Sequence, residues 1–178
     1  MAESLVGPAA RSVTWLLPDA AATARFGEIL ARSLPGEQRA PLILYFEGGL
    51  GAGKTSLIRG LLAGLGHAGR VPSPTYTLVE PYALERYRVL HVDLYRLRDP
   101  TELDDLGIDD ELAAADDRGR GSVLLAEWPG RGGDRLPEPD LVLHLAIDRQ
   151  GRKVSLSPRT SVGEELLSQM QQALPGGF

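Results

Sequence analysis

Eight consecutive residues can do recognisable chemistry. Gly48-Gly49-Leu50-Gly51-Ala52-Gly53-Lys54-Thr55 fit the pattern G-x-x-x-x-G-K-[ST] at every required position. Holding a chain of phosphates takes consecutive backbone N–H groups turned inward, with positive φ and close approach, and glycine supplies both. A helix beginning at the lysine adds the partial positive charge of its N-terminus. In this pattern Lys54 reaches the β and γ phosphates and the Thr55 hydroxyl ligates Mg²⁺. Gly48, Gly49, Leu50, Gly51, Ala52 and Gly53, with Ser56 following, form the nucleotide-binding loop. A glycine-rich loop that binds nothing would not explain Lys-Thr at that offset. Of 19 basic residues only Lys54 and Lys153 are lysines, which adds slight weight to the one in the motif.

A metal ion and an attacking water need acidic partners. Two apolar segments end in carboxylates, Tyr87–Asp93 (YRVLHVD) and Ser122–Glu127 (SVLLAE). Asp93 fits a Walker-B-like position that holds Mg²⁺ through its hydration shell. Glu127 can ligate Mg²⁺ or orient the attacking water. The carboxyl ends of parallel strands converge on a nucleotide site, and each residue also reads as a solvated strand end. Which carboxylate holds the metal and which orients water stays open in the sequence. Pro129 is expected to hold Trp128 extended and so to set how the strand leaves the sheet. A guanine-reading N-K-x-D is missing from the sequence. D-x-x-G occurs as Asp104–Gly107 and Asp116–Gly119, neither directly after an apolar strand. Adenine is therefore the expected base.

The elements that must position these groups follow from periodicity and punctuation. Ser12–Leu17 is strand-like, and Pro18 and Asp19 open an Ala-rich helix to about Ser33. Leu42–Glu47 (LILYFE) is a continuous apolar run, as in a strand buried on both faces. The helix after the glycine loop carries Leu57, Ile58, Leu61, Leu62 and Leu65 on one face. Thr75–Tyr82 and Tyr87–Leu94 read as strands. Asp99-Pro100-Thr101-Glu102 reads as a capped helix start, with a second short helix over Ile108–Ala115 and a polar loop over Asp116–Gly121. Ser122–Glu127 is a strand, and Leu141–Asp148 with Lys153–Ser157 form a hairpin. Ser161-Val-Gly-Glu164 is a capping box for a last helix to about Ala173. Strands alternating with helices predict an α/β fold of P-loop NTPase type. Its central sheet is largely parallel, with antiparallel strands at one edge from the hairpin, and helices flank it.

Composition bounds the rest. The 178 residues match one domain, 1–178, with flexible ends expected at 1–11 and 174–178. Hydrophobic residues are 43% and charged residues 24%, ordinary for a globular chain and contrary to wholesale disorder. The absence of cysteine excludes disulfide scaffolds, thiolate metal sites and cysteine nucleophiles. Three scattered histidines (His67, His91, His144) argue against a His-rich metal site, and His91 reads as a core or supporting residue. No apolar run approaches the ~20 residues that span a bilayer, and no basic region precedes an apolar core at the N-terminus. A cytoplasmic protein without membrane contact is expected. A net charge of −5 argues against a nucleic-acid binder driven mainly by charge. Arg86, Arg88, Arg96 and Arg98 accordingly read as a solvated face.

Four strings follow GGLGAGKT in order: Ser73–Pro81 (SPTYTLVEP), His91–Leu97 (HVDLYRL), Glu102-Leu103 with Leu106-Gly107, and Glu127-Trp128-Pro129. In this order and spacing the chain resembles the bacterial TsaE (YjeE) family over about Leu17 to the final helix. The resemblance implies a modified P-loop fold and Mg²⁺-dependent ATP hydrolysis. It also implies work alongside TsaB and TsaD in threonylcarbamoyl-adenosine modification of tRNA, with tRNA reached through the complex. By the same resemblance Lys54 and Thr55 are the P-loop residues and Asp93 is the Walker-B-like aspartate. Glu127 is the glutamate assigned to metal and hydrolysis, Thr75 and Tyr76 form a switch-like loop beside the γ-phosphate, and Thr23 lies near the nucleotide. Gly49 and Ser56 stand where the family often has Asp and a second Thr, and neither change removes a required group. Trp128, Tyr76 and Tyr95 read equally as packing aromatics. Two other functions fit the same cradle: a small-molecule kinase, and a nucleotide-gated binding module in which hydrolysis is incidental.

Overall fold

The computed structural model describes residues 11–36, 40–114 and 119–178. Its elements are β1 (Val13–Leu17), α1 (Ala20–Ser33), β2 (Leu42–Glu47), α2 (Lys54–Gly64), β3 (Val79–Ala83) and β4 (Tyr87–Asp93). A 3₁₀ helix (Pro100–Leu106) follows, then α3 (Ile108–Ala113), β5 (Gly121–Glu127), β6 (Leu141–Asp148), β7 (Gly151–Pro158) and α4 (Ser161–Ala173). The seven strands form one sheet in the order β1-β7-β6-β2-β5-β4-β3. The four central strands β6, β2, β5 and β4 are parallel. β1, β7 and β3 join antiparallel, so antiparallel strands close both edges, where the hairpin alone foretold one. β3 carries Pro81, which an edge strand tolerates because its missing N–H need not serve a ladder.

Two cores sandwich the sheet. On one face Leu42, Leu44 and Phe46 of β2 and Val123 and Leu125 of β5 pack with α1, α2 and α4. On the other, Ile43, Leu90, Val92, Leu124 and Ala126 lie under the 3₁₀ helix and α3. β2 and β5 are therefore buried on both faces, which is why they read as unbroken apolar runs. Leu57, Ile58, Leu61 and Leu62 of α2 are all fully buried, as their spacing predicted. Asp19 caps α1 by accepting from Ala22 N at 2.7 Å. The box at Asp99 and Glu102 forms as written, although the helix it starts is 3₁₀.

Three local expectations are corrected. β3 begins at Val79 rather than Thr75. Residues 75–77 turn instead, closed by Leu78 N donating to Pro74 O at 2.7 Å, with Leu78 at φ 62°. The cap of α4 is Thr160, whose hydroxyl accepts from Gly163 N at 3.3 Å, so the N-cap lies one residue before Ser161. Trp128 is left-handed at φ 57°, ψ 45° and not extended. Of the predicted features, residues 1–10, Ala115 and most of Asp116–Gly119 lie outside the described residues. At the C-terminal end Phe178 sets its ring 6.1 Å from that of Phe26, under the Arg25 guanidinium.

α1 fixes where α2 starts, because the two helices touch backbone to backbone. A Cβ on Gly60 would stand 2.0 Å from Ala24 O, and one on Gly27 would stand 2.2 Å from Leu57 O. Gly60→Ala must push the helices apart and is expected to cost about 1–3 kcal/mol, the usual range for overpacking. Gly130→Ala, where an added Cβ meets nothing within 4 Å, should stay within about 0.5 kcal/mol of the parent in the same chemical denaturation series.

Candidate nucleotide site

β2 delivers the chain to the glycine loop, and α2 leaves it. Gly48, Gly51 and Gly53 take φ 132°, 75° and 102°, a region where an L side chain is strained. Lys54 is almost fully buried. Its Nζ donates to Gly48 O at 2.8 Å and Gly49 O at 2.9 Å, and lies 4.0 Å from the centre of the Trp128 ring. Burial lowers the Lys54 pKa below its ordinary value, while Glu127 and Asp93 pull it back up.

The strand ends bring the two carboxylates side by side. Glu127 pairs in register with Phe46 on one side and Asp93 on the other. Glu127 thus stands on the strand next to the P-loop strand, and Asp93 one strand further out. The Thr55 hydroxyl lies 2.9 and 3.0 Å from the two Glu127 carboxylate oxygens. His91 Nε2 lies 2.9 Å from Glu127 Oε1. Asp93 has different partners. Its Oδ2 accepts from Ser73 Oγ and Thr75 Oγ1, both at 2.8 Å, and its Oδ1 accepts from Tyr95 N at 3.0 Å. Both carboxylates are almost completely buried, so neither is a solvated strand end.

These groups wall a cleft of about 470 Å³, within the ~300–1,000 Å³ of small-molecule sites. The glycine loop lies on one side, and Thr75, Tyr76, Tyr95 and Arg96 on the other. Leu50, Gly51, Gly53, Lys54, Thr55, Ser56, Asp93 and Glu127 all line it. Gly48 and Gly49 contribute carbonyls to Lys54, and Ala52 is buried beneath the loop. Thr23 is not among the lining residues. Its hydroxyl donates to Asp19 O at 3.0 Å, and its methyl faces Gly53. Tyr76 is 82% exposed at the mouth, with the Arg96 guanidinium 4.3 Å from its ring centre. Tyr95 sets its ring 5.0 Å from that of Trp128. Neither tyrosine is a strand-packing residue.

One lining residue had no sequence signal. Arg152, at the start of β7, donates from Nη2 to Gly51 O at 3.2 Å. Only the β6–β7 hairpin brings it to the loop, across a sequence separation of 101. The three histidines stay apart: His67 meets the Tyr82 ring edge to face, His91 meets Glu127, and His144 Nδ1 lies 3.7 Å from Glu47.

The groups present suit a Mg²⁺–nucleotide pair. The glycine loop, Lys54 and Arg152 offer the backbone donors and positive charge that suit an anion. Thr55, Glu127 and Asp93 offer hydroxyl and carboxylate oxygens, the hard donors that Mg²⁺ takes alongside substrate phosphates.

A parallel sheet ending in this loop, with its helix and acidic strand ends, defines a P-loop NTPase-like domain. Comparison narrows the class. The sequence profile described as "Threonylcarbamoyl adenosine biosynthesis protein TsaE" matches residues 17–154. The chain belongs to the TsaE family. The Haemophilus influenzae protein named tRNA threonylcarbamoyladenosine biosynthesis protein TsaE is 39% identical over 158 residues, 88% of this chain and 96% of its own length. The namesake from Bacillus subtilis is 36% identical over 121 residues, 68% of this chain and 70% of its own. A crystal structure of Bacillus subtilis YdiB superposes with a TM-score of 0.71, covering 94% of this chain and 99% of that one at 24% identity. That likeness concerns the fold.

The buried ammonium has a consequence for stability. Because folding lowers the Lys54 pKa, the unfolded chain holds that proton more tightly. The resulting penalty is complete below the folded value and vanishes as pH rises past the ordinary 10.5. Lys54→Met removes that penalty together with the opposite charge beside Glu127 and Asp93, so no gain in melting temperature is expected near neutral pH, and the variant is expected to bind no ATP by calorimetry.

Proposed function

We propose that this chain is a Mg²⁺-dependent ATP hydrolase that supports threonylcarbamoyl-adenosine modification of tRNA together with TsaB and TsaD. The observation that carries the reading is the bond from Thr55, the P-loop hydroxyl, to the carboxylate of Glu127. It joins the phosphate loop to an acidic strand end and sets side by side two oxygen donors that would hold the metal. Family membership supports the pathway, since the relatives are named for it.

In this reading the glycine loop orients the phosphates and Lys54 leaves its two loop carbonyls for the β and γ oxygens. Arg152 adds charge beside Gly51. Mg²⁺, when bound, neutralises charge developing on the phosphates. Thr55 and Glu127 would hold it, and Glu127, the nearer carboxylate, would also take the proton of the attacking water. Asp93 keeps Ser73 and Thr75 in place and so sets the position of Tyr76 over the mouth. Turnover by the chain alone is expected to be weak and to rise with partners. The deciding experiment measures ATP hydrolysis by the chain, then with TsaB, TsaD and tRNA added. No rise, or a phosphorylated small-molecule product, would overturn the reading.

A second reading rests on the Asp93 bonds. A loop tied to a buried carboxylate beside the phosphate site could report nucleotide occupancy to a docking partner, with hydrolysis incidental. Single-turnover assays separate the two. Glu127→Gln should keep the fold and most nucleotide binding and lose ~10²–10⁴ in hydrolysis. Asp93→Asn should lose less. A Glu127→Gln rate within twofold of the parent beside an inactive Asp93→Asn would move the role to Asp93. The same preparation should prefer ATP to GTP in competition with a labelled ATP analogue, and equal displacement by GTP would contradict the adenine assignment.

A further inference from the structure

His91 is fully buried on β4, two residues before the position paired with Glu127 and so diagonal to it on the same face of the β4–β5 ladder. Its neighbours on the strand, Leu90 and Val92, face the opposite core, while Val89, two residues back on the same face as His91, is a buried apolar residue. Among the described residues the imidazole Nδ1 is buried with no hydrogen-bond partner. An orphaned buried polar atom is expensive, so the other nitrogen must contribute something an apolar residue cannot.

That nitrogen, Nε2, lies 2.9 Å from Glu127 Oε1. An ionised carboxylate only accepts hydrogen bonds. Thr55 stands within reach of both Glu127 oxygens but owns one hydroxyl proton. One Thr55 proton cannot satisfy two buried oxygens, and the second donor is Nε2–H. This assigns a proton to Nε2 of the ring. We infer that His91 is the positioning residue of Glu127: it fixes the rotation of the carboxylate so that both oxygens face Thr55 and the phosphate loop. The inference rests on the proposed hydrolysis for its kinetic consequence, and on the contacts of Glu127 alone for the proton on Nε2.

A buried histidine could instead merely fill space beside Glu127, and two amides separate the cases. Glutamine can place its amide nitrogen where Nε2 lies, while asparagine ends nearer the position of Nδ1. In single-turnover ATP hydrolysis His91→Gln should stay near the parent, and His91→Asn should lose ~10–100-fold, the usual cost of removing a partner that orients a metal-side ligand. KM should be unchanged. The factor by which Mg²⁺ tightens ADP binding in calorimetry should fall in His91→Asn and persist in His91→Gln. Equal rates in both variants, whether both intact or both lost, would overturn the proposal. Nitrogen-15 NMR of the nucleotide-free parent provides a check that needs no variant to fold and no hydrolysis. It should show His91 protonated on Nε2, with a signal that moves in Glu127→Gln. A ring protonated on Nδ1 alone overturns the proposal. A parent that hydrolyses no ATP would refute the proposed function and leave the tautomer to decide the role of His91.

Discussion

The hydrogen bond between Thr55 and Glu127 is the contact on which the rest of this structure depends. It ties the first turn of α2 to the end of β5 across the floor of the cleft. A carboxylate this deeply buried is unfavourable unless its lone pairs are matched. Thr55 and His91 supply the donors, and the Lys54 ammonium supplies opposite charge nearby. Moving any one of the three elements by an ångström would strand a charge in the core. The site is therefore as rigid as the sheet that carries it, and the sheet's register is part of the chemistry.

That rigidity is inherited from packing far from the phosphates. The α1–α2 contact allows no Cβ at Gly27 or Gly60, so α2 has one axial position from which Lys54 and Thr55 can emerge. The two apolar faces of β2 and β5 hold the loop and Glu127 at one level. On the outer side, β4 carries both His91 and Asp93, with Val92 between them in the opposite core. Because a strand alternates faces, residues 91 and 93 point the same way. One strand thus supplies the partner of Glu127 and the anchor of the Ser73–Thr75 loop.

Legibility in the sequence followed the range of the interaction. The glycine loop, the buried run of β2, the apolar face of α2 and the Asp99 cap are local patterns, and each appears where it was read. The division of labour between Asp93 and Glu127 was not legible, because it depends on strand order. Both residues end apolar strands, and only the placement of β5 between β2 and β4 puts Glu127 against Thr55. Arg152 was hidden for the same reason, reaching the loop only through the hairpin. Thr75–Leu78 looked like strand because Thr, Tyr and Leu suit strands. Tertiary bonds from Asp93 to Ser73 and Thr75 turn the chain there instead.

Trp128 shows how a local preference can be overridden at cost. A residue before proline avoids helical conformations, and a bulky side chain at positive φ costs about 1–3 kcal/mol. Yet Trp128 sits at φ 57°. The chain on both sides explains it. Leu94 N bonds Glu127 O at 3.1 Å and Trp128 N bonds Phe46 O at 3.3 Å, so the ladder runs to its last residue. Pro129 then begins a tight 3₁₀ turn. The left-handed residue makes that change of direction with the indole in contact with both Lys54 and Tyr95. The strained backbone at Trp128 and the lowered lysine pKa belong to the cleft wall, and the buried His91 stands directly behind it against Glu127. Each is unfavourable for folding and each keeps a charged group in a fixed place, the pattern expected where a fold gives up stability to organise a site in advance.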